Sequence, residues 1–136
     1  MNKDKIIEYQ LMEQQIQQLD NNLQNIDQNI KDIDTILQTL DNFSKLKKGD
    51  NILVPVANGI FAEAKLEGSG RLKVNVGSNI VVEKDVESTK KMMSQQIEEL
   101  EKYKEETAGY YEQMYIKMQA LQTEMIKEQE QEKKKK

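Results

Sequence analysis

The sequence has no cysteine, no histidine and no tryptophan, and it contains one proline among 136 residues. The absence of cysteine excludes disulfides and thiolate metal sites, as is typical of proteins in a reducing compartment, and we predict a cytoplasmic location. The absence of histidine and cysteine removes the commonest general base and the best thiol nucleophile. Because the sequence also lacks a phosphate-binding loop and metal-ligand spacing, we predict a protein that is not an enzyme and uses no cofactor or metal.

Aromatic residues account for only 5% of the chain, whereas charged residues account for 32%. This composition leaves little material for a large globular core. The sequence has no run of about 18 apolar residues and no apolar signal core at its start, so we expect no contact with a membrane. The net charge of −4 is spread evenly, apart from the lysines at 133–136, which makes nucleic acid a poor partner. A coiled-coil arm that binds nucleic acid is kept as a third hypothesis.

What the sequence does contain is a heptad pattern near each end. The first ladder is Tyr9, Met12, Ile16, Leu19, Leu23, Ile26, Ile30, Ile33, Leu37 and Leu40. The second ladder is Met93, Ile97, Leu100, Lys104, Thr107, Tyr111, Met114, Met118, Leu121 and Met125. A repeat averaging about 3.5 residues forms one seam along an α-helix, and that seam is buried against another helix. We predict helices over about residues 4–46 and 85–131, folded back into a long antiparallel coiled-coil hairpin.

The ends of these helices carry recognisable signals. Gly49 follows a lysine-rich stretch and suits the left-handed residue just past a helix C-terminus. Asp85 is a good N-cap for the second helix, with Glu87 in its first turn. These signals divide the chain into a first helix (1–48), a β segment (49–84) and a second helix with a lysine tail (85–136).

The β segment carries four strand candidates, at 52–56, 60–66, 71–76 and 80–83, separated by turn residues. The second and third candidates alternate apolar and polar residues, which predicts one dry face and one wet face. Pro55 cannot donate a ladder hydrogen bond, so its strand is expected at an edge or with a bulge. Four short strands are too few to stand alone, so either the helix bases cover them within the monomer or other subunits do.

We favour coverage by other subunits, because two helices cannot cover both faces and both edges of the sheet. The residues predicted to mediate oligomerisation are Leu53, Val54, Pro55, Val56, Phe61, Ala62, Leu72, Val74, Val76, Gly77, Ile80 and Val82.

An antiparallel hairpin also fixes which residues face each other. Paired positions should sum to about 130, which sets Lys104 and Thr107 opposite Ile26 and Leu23. This polar interruption either fixes the register or leaves Lys104 to extend along its aliphatic stem without a specific role, and we favour the second alternative. Gly109 lies inside the second helix and costs about 1 kcal/mol relative to alanine.

Several apolar residues near the two chain ends lie off the ladders, and the seam cannot bury them all. With the adaptable methionines beside them, they predict a tip that binds other proteins. The predicted tip residues are Ile6, Ile7, Leu11, Met12, Tyr115, Ile116, Met118, Leu121, Met125 and Ile126.

The β segment contains the motifs Ile52-Leu53-Val54-Pro55-Val56, Phe61, Val74-Asn75-Val76-Gly77 and Val82-Glu83-Lys84, placed between two heptad helices. In this pattern it resembles the β segment of the archaeal prefoldin α-class subunit. The β-class subunits of this family have a single hairpin at this position, whereas this segment has four strands. The stretch at 78–81 departs from the usual pattern, so a γ-type paralogue is an alternative within the family.

The resemblance implies a hexamer of two α and four β subunits, in which the hairpins form a β-barrel body and six coiled-coil arms extend from it. It further implies an ATP-independent chaperone whose arm tips hold unfolded proteins and pass them to a group II chaperonin. A filament-forming structural protein that uses the same sheet edges is the alternative.

Overall fold

The computed structural model describes residues 3–134 of the chain. Its elements are α1 (Lys3–Ser44), β1 (Asn51–Ala57), β2 (Ile60–Lys65), β3 (Arg71–Asn75), β4 (Val81–Asp85) and α2 (Val86–Lys134). This order confirms the predicted α+β architecture of two long helices with two β-hairpins between them. The first predicted segment begins with residues 1–2 and the third ends with residues 135–136. These four residues lie outside the part of the chain that the structure describes.

The chain divides into two compact units. The first, called the terminal unit, contains residues 3–30 of α1 and 99–134 of α2. The second, called the central unit, contains residues 31–98, with both hairpins and the adjoining parts of the helices.

In the terminal unit, the two helices pair along the predicted seam. Every ladder residue of this unit is buried or half-buried, from Tyr9 to Ile30 and from Leu100 to Met125. Two ion pairs, Asp27–Lys104 and Lys5–Glu128, join the helices in antiparallel order. The residue numbers of these pairs sum to 131 and 133, close to the predicted 130.

The polar interruption of the seam has specific partners. Lys104 Nζ lies 2.7 Å from Asp27 Oδ1 on the opposite helix. Thr107 is buried, and its hydroxyl donates a hydrogen bond of 2.8 Å to the Tyr103 carbonyl one turn earlier. The ion pair supports the interpretation in which Lys104 helps to fix the register of the two helices. Under the favoured alternative, Lys104 only extends along its aliphatic stem and needs no partner on the opposite helix.

In the central unit, the start of α2 follows the sequence signals closely. Asp85 caps the helix, because its Oδ1 accepts a hydrogen bond of 2.6 Å from the Ser88 backbone amide. Val86 and Thr89, in the first turns of α2, are buried. Lys90 forms an ion pair with Asp41 of α1, so the helices are also paired in antiparallel order here, with residue numbers that sum to 131.

The end of α1 differs from the prediction. The helix ends at Ser44, and Gly49 is not its left-handed cap although its φ is +91°. Gly49 instead lies in a turn in which the Asp50 amide bonds the Lys47 carbonyl at 3.1 Å and the Lys47 amide bonds Asp50 Oδ2 at 2.8 Å. The aspartate side chain offers the backbone a local partner that competes with a longer helix.

The four strands form two separate antiparallel hairpins, β1–β2 and β3–β4. In the first, Val54 pairs with Ala62 and Pro55 with Phe61, and a β-bulge follows between Pro55 and Ala57. The proline therefore lies in an edge strand beside a bulge, as predicted.

In the second hairpin, Val74 pairs with Val82, and the turn is built from residues with positive φ. Ser78 and Asn79 have φ values of 51° and 62°, and the Ile80 amide bonds the Gly77 carbonyl at 2.9 Å. This geometry is typical of a type I′ turn. Ile80 belongs to the turn, so β4 begins one residue later than predicted.

Candidate assembly and client-binding surfaces

The first hairpin exposes apolar side chains on both of its faces. Side chains alternate along a strand, so Val54 and Ala62 lie on one face, and Leu53 and Phe61 lie on the other. Leu53 and Phe61 are each more than half exposed, and Val54 is also exposed. Phe61, which the sequence pattern placed on the wet face of β2, is exposed as expected, and with its partner Pro55 it makes that face apolar near the turn.

The second hairpin does have one dry face and one wet face. Leu72, Val74 and Val82 are half-buried on the inner face. The outer face carries charged residues, among them Arg71, whose Nη1 lies 3.2 Å from Glu83 Oε2. The apolar exposure of this hairpin is concentrated at its turn, at Val76, Ile80 and Val81.

The twelve predicted oligomerisation residues therefore fall into two groups. The exposed members are Leu53, Val54, Pro55, Val56, Phe61, Ala62, Val76, Gly77 and Ile80, and the half-buried members are Leu72, Val74 and Val82. Within residues 3–134, each strand pairs with one neighbour only. Two-stranded hairpins with free edges and wet apolar faces are marginal alone, so these surfaces have the character of an interface.

The terminal unit exposes a second set of apolar side chains, which we call the terminal patch. The patch consists of Ile7, Leu11, Tyr115, Ile116 and Ile126. Ile7 and Leu11 are four residues apart and so lie on one face of α1, away from the seam. They and Ile116 are each more than half exposed.

The other predicted tip residues contribute to the seam. Ile6, Met12, Met118 and Met125 are half-buried. Leu121 is buried, with only 7% of its surface exposed, so it is left out of the terminal patch. Its place on the heptad ladder accounts for this burial.

Two exposed tyrosines, Tyr103 and Tyr110, were absent from the predicted tip. They are seven residues apart on α2, and each precedes a seam residue by one position. Their heptad position could have predicted this exposure, since a side chain next to the seam lies at its edge and is not covered by the opposite helix.

Ion pairs connect the two helices in both units. Lys5 lies between Glu128 and Glu124, and the hydrogen bond with Glu128 raises the pKa of Lys5. In the central unit, the hydrogen bond with Asp41 raises the pKa of Lys90. Neither helix within residues 3–134 carries an apolar stretch sufficient to cross a membrane.

Comparison with known proteins identifies a matching family model. The model described as Prefoldin subunit matches residues 12–131 of this chain. Among curated proteins, the Prefoldin subunit alpha of Archaeoglobus fulgidus is 23% identical over 130 residues, which cover 96% of this chain and 95% of that protein. The Prefoldin subunit alpha of Methanococcus aeolicus is 29% identical over 136 residues, covering 92% and 94% of the two chains.

A shorter match and a solved structure agree with this finding. The Prefoldin subunit alpha of Thermofilum pendens is 38% identical over 61 residues, 45% of this chain and 47% of that protein. A cryo-EM structure of filamentous PFD from Methanocaldococcus jannaschii superposes with a TM-score of 0.76 at 25% identity, covering 90% of this chain and 99% of that one. With its two heptad helices and two hairpins, the chain belongs to the prefoldin family of chaperones, in the archaeal α class.

Proposed function

We propose that the chain is an ATP-independent holdase subunit that assembles through its hairpins and captures unfolded proteins with its terminal patch. In this proposal, segment 49–84 mediates assembly, while segments 1–48 and 85–136 supply the helices that carry the patch. The complex would act in the cytoplasm. The observation that carries the proposal is a set of apolar side chains left exposed on helices whose seam is already closed.

The hairpins supply the energetic basis for assembly. Burying one large apolar side chain such as Leu53 or Phe61 contributes roughly 1.5–3 kcal/mol. Several such residues on one hairpin, together with free strand edges, favour a permanent interface. Alpha subunits of this family associate with other prefoldin subunits. We therefore propose β-class subunits as partners, in an α2β4 hexamer with a β-barrel body.

The terminal patch has a different energetic character. Its residues stand apart among glutamines and charged residues, so one subunit offers a client only a few weak apolar contacts. Several subunits in one complex would make these contacts jointly, and effective concentration would then give useful affinity. Weak separate contacts also permit release, as transfer of the client to a group II chaperonin requires.

The test replaces three patch residues by Ile7→Gln, Leu11→Gln and Ile116→Gln in one full-length variant. These side chains lie outside the seam, so the helices should pair as before. We expect suppression of client aggregation to require about tenfold more protein, because multivalent binding amplifies each lost contact. The measurement is light scattering of a chemically denatured model protein diluted into buffer with the complex.

The matched control replaces three exposed glutamines near the patch by Gln10→Ala, Gln14→Ala and Gln113→Ala. This control should hold the client as well as the unmodified chain does. Equal holding by the patch variant and the control would rule out the terminal patch as the client site.

A filament-forming role is the second candidate, favoured by one observation: the solved structure with a TM-score of 0.76 is that of a filamentous PFD. The mass of the purified chain, alone and with a β-class subunit, separates the two roles. Long polymers of the chain alone support the filament. A small species that becomes a hexamer when the β-class subunit is added supports the holdase.

A further inference from the structure

A shallow groove in the terminal unit is lined by residues other than those of the terminal patch. It encloses about 400 Å³. Its lining residues come from both helices and are Gln15, Gln18, Leu19, Asn22, Tyr110 and Met114. None of these residues is charged although 32% of the chain is, which favours a neutral occupant.

The chemistry of this lining is specific. Leu19 and Met114 are half-buried seam residues that form an apolar floor, and Tyr110 stands beside them with 65% of its surface exposed. The side-chain amides of Gln15 and Asn22 provide both donors and acceptors at the rim. Antibody binding sites similarly combine tyrosine, which supplies contact area, with asparagine, which supplies adaptable hydrogen bonds.

A second groove in the same unit repeats this chemistry. It encloses about 220 Å³ and is lined by Tyr9, Gln122, Met125, Ile126 and Gln129. Each groove thus combines one tyrosine, one methionine, one aliphatic side chain and two or more carboxamides, and neither includes a charged residue. Leu19 lies ten residues after Tyr9 on α1, so the grooves are separated by about 15 Å along the helix.

We propose that the groove at Tyr110 is a second client site, which takes a neutral apolar side chain of an extended polypeptide while the rim carboxamides bond its backbone. An unfolded segment fits this groove because its backbone donors and acceptors are unpaired along its whole length, and its neutral side chains match the uncharged lining. This inference rests on the proposed holdase function. It extends client contact along the helices, beyond the terminal patch.

The test places a photo-crosslinking phenylalanine analogue at position 110 or, as the control, at position 103. Tyr103 suits this purpose because it is on the same helix, one heptad away, 53% exposed, and outside the groove. With a permanently reduced, unfolded model protein as the probe, crosslinks should form from position 110 at several times the yield from position 103. Equal yields from the two positions would overturn the proposal.

Affinity measured by fluorescence anisotropy of the same labelled client provides the second readout. Tyr110→Ala should weaken binding about fivefold, whereas Tyr103→Ala should change it less than about twofold. Unchanged affinity in Tyr110→Ala, with weakened affinity in the terminal-patch variant, would reject the groove and leave the holdase function standing. Unchanged affinity in both variants would reject the holdase function as well. Crosslinks from position 110 to a second subunit without client would show that the groove belongs to an interface and would overturn the proposal.

Discussion

The central and terminal units both leave large apolar side chains in water, but they arrange them differently. In the central unit these side chains share strands, so that Leu53, Pro55 and Phe61 form a continuous surface on one face of a hairpin. In the terminal unit they lie on the outer faces of two paired helices, where glutamines and charged residues separate them. Continuous apolar surface with free strand edges favours permanent burial, whereas dispersed side chains favour weak and reversible contact.

The two units also differ in what their own fold already covers. The helix seam of the terminal unit is closed, and its buried residues, Ile26, Thr107 and Leu121, lie on the ladders. The hairpins of the central unit have no buried residue in their strands, because all residues of β1, β2, β3 and β4 are exposed or half-buried. We therefore expect the paired helices to be stable with the terminal patch exposed, and the hairpins to be covered by other subunits.

The largest expected effect is on assembly. A Leu53→Asp and Phe61→Asp double variant should lose the oligomer entirely, because two charges would be buried in the interface while the free chain already exposes both positions. Sedimentation velocity with a β-class subunit measures the loss. A Lys73→Asp control on the charged face of the second hairpin should still assemble. If the double variant assembles normally, the first hairpin is not the interface.

The next effect is on stability and separates seam residues from patch residues. Leu121→Ala removes a buried seam side chain and should lower the free energy of unfolding by about 2–3 kcal/mol. Ile116→Ala, on the outer face of the same helix, should change it by less than about 0.5 kcal/mol. Urea unfolding followed by circular dichroism measures both. Equal losses would mean that the patch residue is covered by the fold.

A smaller effect distinguishes the two interpretations of Lys104. If its ion pair with Asp27 helps to set the register, a double-mutant cycle with Lys104→Met and Asp27→Asn should give a coupling energy of about 0.5 kcal/mol. The coupling should decrease at high salt, because both groups are partly exposed. No measurable coupling would favour a lysine that only extends its stem along the seam.

The smallest effect is local to the start of α2 in the central unit. The hydrogen bond from the Ser88 amide holds the pKa of Asp85 below its ordinary value. A carboxyl whose pKa is lowered by folding stabilises the protein above its unfolded pKa of about 3.9 and loses this contribution as the pH falls through the folded value. The asparagine in Asp85→Asn still caps the helix but does not titrate. The difference in melting temperature between the two chains should therefore shift in favour of the variant as the pH falls below about 4. A pH-independent difference would contradict the capping role.

Much of the helical structure was predictable because a heptad pattern reports burial directly. All twenty ladder residues, including the polar Lys104 and Thr107, are buried or half-buried. The same pattern accounts for the burial of Leu121, which belongs to a ladder as well as to the predicted tip. Capping by Asp85 was also predictable, because it depends on one hydrogen bond between residues close in sequence and aspartate is a preferred N-cap residue.

Other features depend on interactions that periodicity does not encode. Beyond the end of α1, the Asp50 side chain accepts a hydrogen bond from the Lys47 amide, a local contact that competes with a longer helix. The apolar character of both faces of the first hairpin depends on which residues pair across it, such as Pro55 with Phe61. Predicting the groove at Tyr110 would have required knowing which residues of the two helices lie side by side, since its lining residues are about ninety positions apart in sequence.

Side-chain footprinting of the assembled complex, with and without an unfolded client, tests the contrast between the two units most directly. Hydroxyl-radical labelling should find Leu53 and Phe61 already protected in the client-free complex, since assembly buries them. Leu11, Tyr115 and Ile116 should be labelled readily without client and become protected only when client is added. Protection of these three residues before client is added, or their continued labelling in its presence, would contradict the assignment of the terminal patch to client capture.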